Sequence, residues 1–179
     1  MRTEGRIYEF AATAPTDAER FVALSLDDIA LLVAQREIHA LEPVLDVASH
    51  AQPATTKHAY AAGVLELAGG TCPVYALDGE LRPLPKIPQQ HRICAIMNYR
   101  DAPYSLTCRE VRLLSRTALS MHDIPRPLLR QNTSPVKSLG VADGRLLLVT
   151  TAAALFAHVS HNVEAEIISF DDHARKSRI

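Results

Sequence analysis

Several groups of side chains in this 179-residue chain have types and spacings that suggest chemistry. Cys94 and Cys108 lie symmetrically about Asp101. A hairpin centred there would set the two thiols opposite one another as a redox pair, with Ile96 facing Leu106 in the same register. His158 and His161 stand three apart, with Glu164 and Glu166 following. On a helix that spacing would offer two ligands to a metal from one face. Asp27-Asp28 and Asp171-Asp172 are neighbouring carboxylates, and Gly69-Gly70 is a paired-glycine turn.

Each group also has a plainer reading. Free cysteine is among the most buried residue types, and a reactive thiol needs an accessible, electropositive setting. The histidines lack an HExxH arrangement, and spacing fixes no third ligand. Adjacent strand residues point to opposite faces, so neither Asp pair grips one ion. No GK[ST] and no helix start follow the glycines, which excludes a phosphate loop. "SLTCRE" holds Ser, Cys and Glu, but strand alternation scatters them. The expectation is no catalytic residue, no metal and no cofactor.

The composition narrows the class. At 47% hydrophobic residues the chain can bury a core, which argues against disorder. Lys and Arg total 19 against 20 Asp and Glu, a net charge of −1 that gives no electrostatic case for nucleic acid or an anionic membrane. Aromatics are 5% and Trp is absent, so base-stacking platforms are not expected either. The run "LLLVTTAAALFAHV" at 146–159 is too short to span a bilayer, and "MRTEGRIYEF" has charges where a signal peptide needs an apolar stretch. With three widely spaced cysteines and no CxxC, a reduced cytoplasmic protein is expected.

The elements that would position these groups repeat. "QREIHAL" at 35–41 and "CREVRLL" at 108–114 align at an offset of 73, pairing Arg36 with Arg109 and Glu37 with Glu110. The stretch 21–42 has helical propensity, rich in Ala, Leu, Gln, Arg and Glu. Its counterpart 93–115 carries Tyr, Thr, Val and a central Pro103, which suits a hairpin corner and not a helix. Both are therefore read as two strands joined by a tight turn, Asp28 matching Asp101. Further on, "LAGGTCPVYAL" and "VADGRLLLVTT" each place a glycine turn between apolar strands. An offset of 74 pairs Gly70 with Gly144, Leu65 with Leu139, Val74 with Leu148 and Leu81 with Leu155.

The expected fold is mainly β, a duplicated module forming two small five-stranded barrels, since closure removes exposed edges. The expected boundaries are a flexible leader over 1–20, a first barrel over 21–90 and a second over 91–160. A C-terminal strand or helix and tail fills 161–179. The three prolines of "RPLPKIPQQHR" at 82–92 make a semi-rigid link between copies. "RIYEF" and "AEIISF" are short alternating stretches able to add edge strands.

The order hairpin, loop, "GVLELAGGTCPVYAL", proline-rich link, hairpin and "GVADGRLLLV" resembles the CheW-like adaptors of bacterial chemosensory arrays. Gly63, Leu67, Gly69, Pro73, Val74 and Leu77 occupy places of that family's first-copy motif. The resemblance covers roughly 21–158. It implies two SH3-like barrels related by a pseudo-twofold with a groove between them. It further implies a non-catalytic role docking the regulatory domain of a CheA-type histidine kinase, with a chemoreceptor as a second partner. Three places depart from the pattern: Ala68 replaces an arginine tied to the receptor-facing side, Ala76 an aspartate and Glu66 an asparagine. Loss of a guanidinium removes donors that a methyl cannot replace. The chain is thus expected to be a divergent member serving chemotaxis or type IV pilus motility. Its expected partner-contacting residues are Ala68, Gly69, Gly70, Arg36, Glu37, Arg109 and Glu110. The rival readings are a thiol- or metal-dependent enzyme and a sensor binding a small molecule in the groove.

Overall fold

The computed structural model describes residues 19–49, 60–124 and 134–160. The leader up to residue 18, the tail with His161, Glu164, Glu166 and Asp171-Asp172, and both extra edge strands therefore lie outside the described residues, while Arg20 already belongs to the first strand.

The stretch with helical propensity is extended. Strand β1 (Arg20–Ser25) turns through 26–29 into β2 (Ala30–Ala34), and a 3-10 turn over Gln35–Glu37 leads into β3 (Ile38–Pro43). Tertiary burial overrides propensity here: Phe21 to Leu24 are all buried, as are Leu31 to Val33. Strands covered on both faces read as continuous apolar runs, which is why no alternation marks them. A short β4 (Ala48–Ser49), β5 (Gly63–Leu67), β6 (Gly70–Leu77) and β7 (Pro83–Leu84) complete the first half. The second half repeats the order: β8 (Ile93–Tyr99), β9 (Ala102–Cys108), β10 (Glu110–Ser115), β11 (Ser120–Asp123), β12 (Ser138–Ala142) and β13 (Arg145–Val149). Helix α1 then covers 152–160 among the described residues.

The two halves exchange hairpins. One sheet runs β10-β1-β2-β13-β12-β11 and the other β3-β8-β9-β6-β5-β4, with β7 pairing on β6. Replacing each strand by its counterpart in the other half turns one order into the other. The expected contiguous division, 21–90 and 91–160, is thus corrected. Each curled sheet takes its first hairpin from one half and its remaining strands from the other. The sheets have six and seven strands where five were expected, because short edge segments such as β4, β7 and β11 also pair.

The register supports the duplication in detail. Ser25↔Ala30 falls on Asn98↔Pro103, and Phe21↔Ala34 on Cys94↔Thr107, at the offset of 73. Leu24↔Val111 likewise mirrors Met97↔Ile38, beyond which a bulge at His39 shifts β3 by one. The later hairpins correspond at 75, not 74: Gly63↔Val74 maps to Ser138↔Val149, and Leu67↔Gly70 to Ala142↔Arg145. Gly69, not Gly70, is therefore the counterpart of Gly144. Leu81 sits in a turn while Leu155 is helical, so those two are not counterparts.

Three apolar clusters result. Phe21, Ala23, Leu32, Leu114, Leu119, Ala142 and Leu147 fill the concave side of one sheet. Leu65, Cys72, Val74, Cys94 and Ile96 fill that of the other. The largest cluster joins the sheets: Val22, Leu24, Leu31 and Val33 meet Tyr75, Leu77, Met97, Tyr104 and Leu106, with Leu155 and Val159 of α1 closing it. Curling brings Arg112 of edge strand β10 to Asp143 at the β12–β13 tip, Nη2 to Oδ2 at 2.8 Å.

Candidate functional site

The expected partner-contacting residues fall in three separate places. Ala68 and Gly69 form the β5–β6 turn and are exposed with Gly70. Gly70 has φ +132, and nothing lies within 4 Å of a side chain added at Gly69 or Gly70. The positive φ there explains a glycine, because a Cβ would strain that conformation. The counterpart tip is built differently: Asp143 (φ 50) and Gly144 (φ 71) form a tight turn anchored by Arg112. By register the residues matching Arg112 and Asp143 in the other half are Ala40 and Ala68, which cannot form that ion pair. The β5–β6 tip thus offers an exposed, small-residue surface.

At the β2–β3 junction, Arg36 is exposed and lies 3.7 Å from the Glu19 carboxylate. Glu37 has an internal task. Its Oε2 accepts the Ala152 N–H at 2.7 Å, at the start of α1, where Thr151 Oγ1 accepts the Ala154 N–H at 3.1 Å. Two of the helix's orphan donors are met this way. At the β9–β10 junction, Arg109 donates its backbone N–H to Ser25 O at 2.8 Å, and Glu110 pairs with Ser25 in register. Both are exposed. The two Arg-Glu pairs are sequence twins with unlike contacts.

The thiol pair is corrected. The hairpin turns at Arg100-Asp101, both with positive φ, so its register centres between them and not on Asp101. Cys94 faces Thr107, Cys108 faces Ile93, and Ile96 faces Ser105. A shift of one residue sends side chains to opposite faces. Cys108 accordingly packs in the inter-sheet cluster, while Cys94 packs with Cys72 inside one sheet. Burial pushes their thiols up, to about 12 for Cys108, about 11 for Cys94 and about 12 for Cys72. Thiols that stay protonated are poor nucleophiles and poor metal ligands.

His158 Nε2 lies 2.7 Å from Leu81 O and so spends its ring on fixing α1 to the β6–β7 turn. Asp27 Oδ1 accepts from Gln90 Nε2 at 2.7 Å. Beside it is a residue that sequence reasoning passed over. His91 is buried, its Nδ1 2.8 Å from Thr107 Oγ1 and its Nε2 3.9 Å from Asp27 Oδ1, with no hydrogen-bond partner for Nε2 among the described residues. Burial depresses its basicity; Asp27 opposes that effect and Arg109 adds to it. Nothing in "QQHR" signals burial, because only the folded link brings His91 between the sheets.

Two curled sheets built from reciprocally exchanged halves define a CheW-like fold of paired SH3-like units. No family model matches the chain, and no curated protein matches it. Among solved structures the chain is similar to the scaffolding protein TtCheW from Thermoanaerobacter tengcongensis. The TM-score is 0.57 at 18% identity, covering 78% of this chain and 92% of that one. Among the described residues, no helix is long and apolar enough to cross a membrane.

Proposed function

We propose that this protein is a non-catalytic CheW-like adaptor in a bacterial chemosensory system, serving chemotaxis or type IV pilus motility. In this reading it works in the cytoplasm and docks the regulatory domain of a CheA-type histidine kinase, with a chemoreceptor as a weaker second partner. The observation that carries the reading is the exchanged two-sheet architecture, shared over most of both chains with a scaffolding protein. The buried, protonated thiols support it against a thiol enzyme. The preference for kinase over receptor rests on Ala68, exposed where the resembled family carries arginine.

The test is direct binding of the purified full chain to a kinase regulatory domain and to a receptor signalling tip. Kinase binding should be clearly tighter. Strong binding of equal size to the tip would remove the kinase preference, and no binding to either would remove the adaptor reading. A stoichiometric metal, or a melting temperature raised by a small ligand, would favour the enzyme or sensor readings instead.

A further inference from the structure

We propose that the outward face of the β12–β13 hairpin is a docking surface for an amphipathic partner helix that brings carboxylates to its flank. The inference stands apart from the kinase assignment.

The face is defined by register. Gly140 and Leu147 point to the concave interior, where a side chain added at Gly140 would meet Leu32 and Leu147. Strand alternation therefore sends Leu139, Val141, Leu146 and Leu148 to the other side. They stand as two cross-strand pairs, Leu139↔Leu148 and Val141↔Leu146. Leu146 is 57% exposed, one of few large apolar side chains so placed; Leu139 and Val141 are half-buried, and Leu148 packs against the edge of the inter-sheet core, from which the face continues outward.

Beyond Leu148, which serves the inter-sheet core, the fold does not demand apolar residues on this face. At the offset of 75 the same positions on β5–β6 are Val64, Thr71, Glu66 and Pro73, so the counterpart face carries a hydroxyl and an exposed carboxylate. The same architecture thus stands with a polar face in one half and an apolar one in the other. The occupant's charge follows from the rim. Lys137, exposed, alternates onto the same side as Leu139, where the matching residue of the other half is Ala62. On edge strand β11, Ser120 and His122 stand beside Val141 and Leu139. The nearby carboxylates are otherwise placed: Asp143 is held by Arg112, and Asp123 pairs with Ser138, which alternates to the inner side. An apolar ladder two strands wide with a cation at its base fits a helix with leucines at i, i+3, i+4 and i+7 and glutamates along one flank. It does not fit a basic or uniformly polar segment.

The probe is a synthetic helical peptide of about 20 residues with that pattern, titrated into the full chain. A twin peptide carries lysine in place of the flanking glutamates. The glutamate peptide should bind at least about tenfold more tightly than its twin, and Leu146→Glu should weaken it about tenfold or more. Lys137→Glu should reverse the preference, while Thr71→Glu on the opposite hairpin leaves it unchanged. Equal binding of both peptides, or of neither, overturns the proposal. So does a fall of several degrees in the melting temperature of free Leu146→Glu protein, which would show the face covered by the chain itself. A concentration-dependent dimer abolished by that substitution would assign the face to a second copy instead. Kinase-domain binding, measured on the same variants, reports separately on the adaptor reading.

Discussion

The Glu37 carboxylate accepts the backbone N–H of Ala152 at 2.7 Å, a bond between residues 115 apart in the chain. It ties the first half of the chain to the helix that closes the inter-sheet core. A carboxylate at a helix N-terminus gains from both the hydrogen bond and the helix dipole. Glu37→Ala should therefore lower unfolding free energy by about 1 kcal/mol. Glu37→Gln, which keeps the acceptor and loses the charge, should cost less. The sequence twin Glu110 is exposed on an edge strand, and Glu110→Ala should stay within about 0.5 kcal/mol of the parent. Urea denaturation at neutral pH reads all three. Equal losses at the two positions would show that the helix contact does not matter.

The cysteines should be inert in the folded protein. All three are fully buried, with thiols raised to about 11 or 12. A thiol reagent at pH 8 should therefore modify none of them until denaturant is added, and then all three. Mild oxidation should yield no Cys94–Cys108 disulfide, because those two occupy opposite faces of one hairpin. Mass spectrometry of the oxidised protein checks this. A Cys94–Cys108 bridge in folded protein would show that the hairpin register is not the one described.

That hairpin shows where sequence reasoning succeeds and where it stops. Pro103 and the matched stretch 21–42 revealed strands despite the helical propensity of the first copy, because two copies must adopt one fold. The turn centres half a residue before Asp101, since Arg100-Asp101 supplies two left-handed residues without a glycine to announce them. Half a residue was enough to invent a thiol pair. Matching Gly70 to Gly144 erred for a related reason: the glycines serve different positions of their turns. The exchange of hairpins was not legible at all, because β-pairing partners distant in sequence leave no local pattern. The internal role of Glu37 and the burial of His91 both depend on that exchange.

His91 should make the fold sensitive to acid. Its imidazole is buried between Thr107 and Asp27, and burial holds its basicity below the ordinary value of 6.5. The unfolded chain therefore takes up the proton more readily than the folded one. By linkage, stability is complete above 6.5 and is lost as pH falls through and below it, toward the depressed folded value. Chemical denaturation between pH 8 and pH 5 should show a decline that is shallower in His91→Gln. An NMR titration of the His91 ring should give a midpoint below 6.5. A midpoint above it would mean that Asp27 outweighs desolvation and would reverse the slope.

The exposed β5–β6 tip permits a gain-of-function experiment. Ala68 is exposed beside Gly69 and Gly70, where an added side chain meets nothing within 4 Å, and among the described residues no ion pair anchors this turn as Arg112 anchors its counterpart. An arginine there would meet no packing obstacle, so Ala68→Arg should alter stability by no more than about 0.5 kcal/mol. If the protein is a CheW-like adaptor, the new guanidinium restores the donors whose absence sets this chain apart, and receptor-tip binding should rise by about tenfold, as one well-placed charged contact allows. Ala68→Lys should recover less, since an ammonium lacks the planar fork. Binding of the kinase regulatory domain should stay constant across the series. A parallel rise in kinase affinity would place both partners on one surface. An unchanged receptor affinity, in protein of parental stability, would show that the tip is not where this chain meets a receptor.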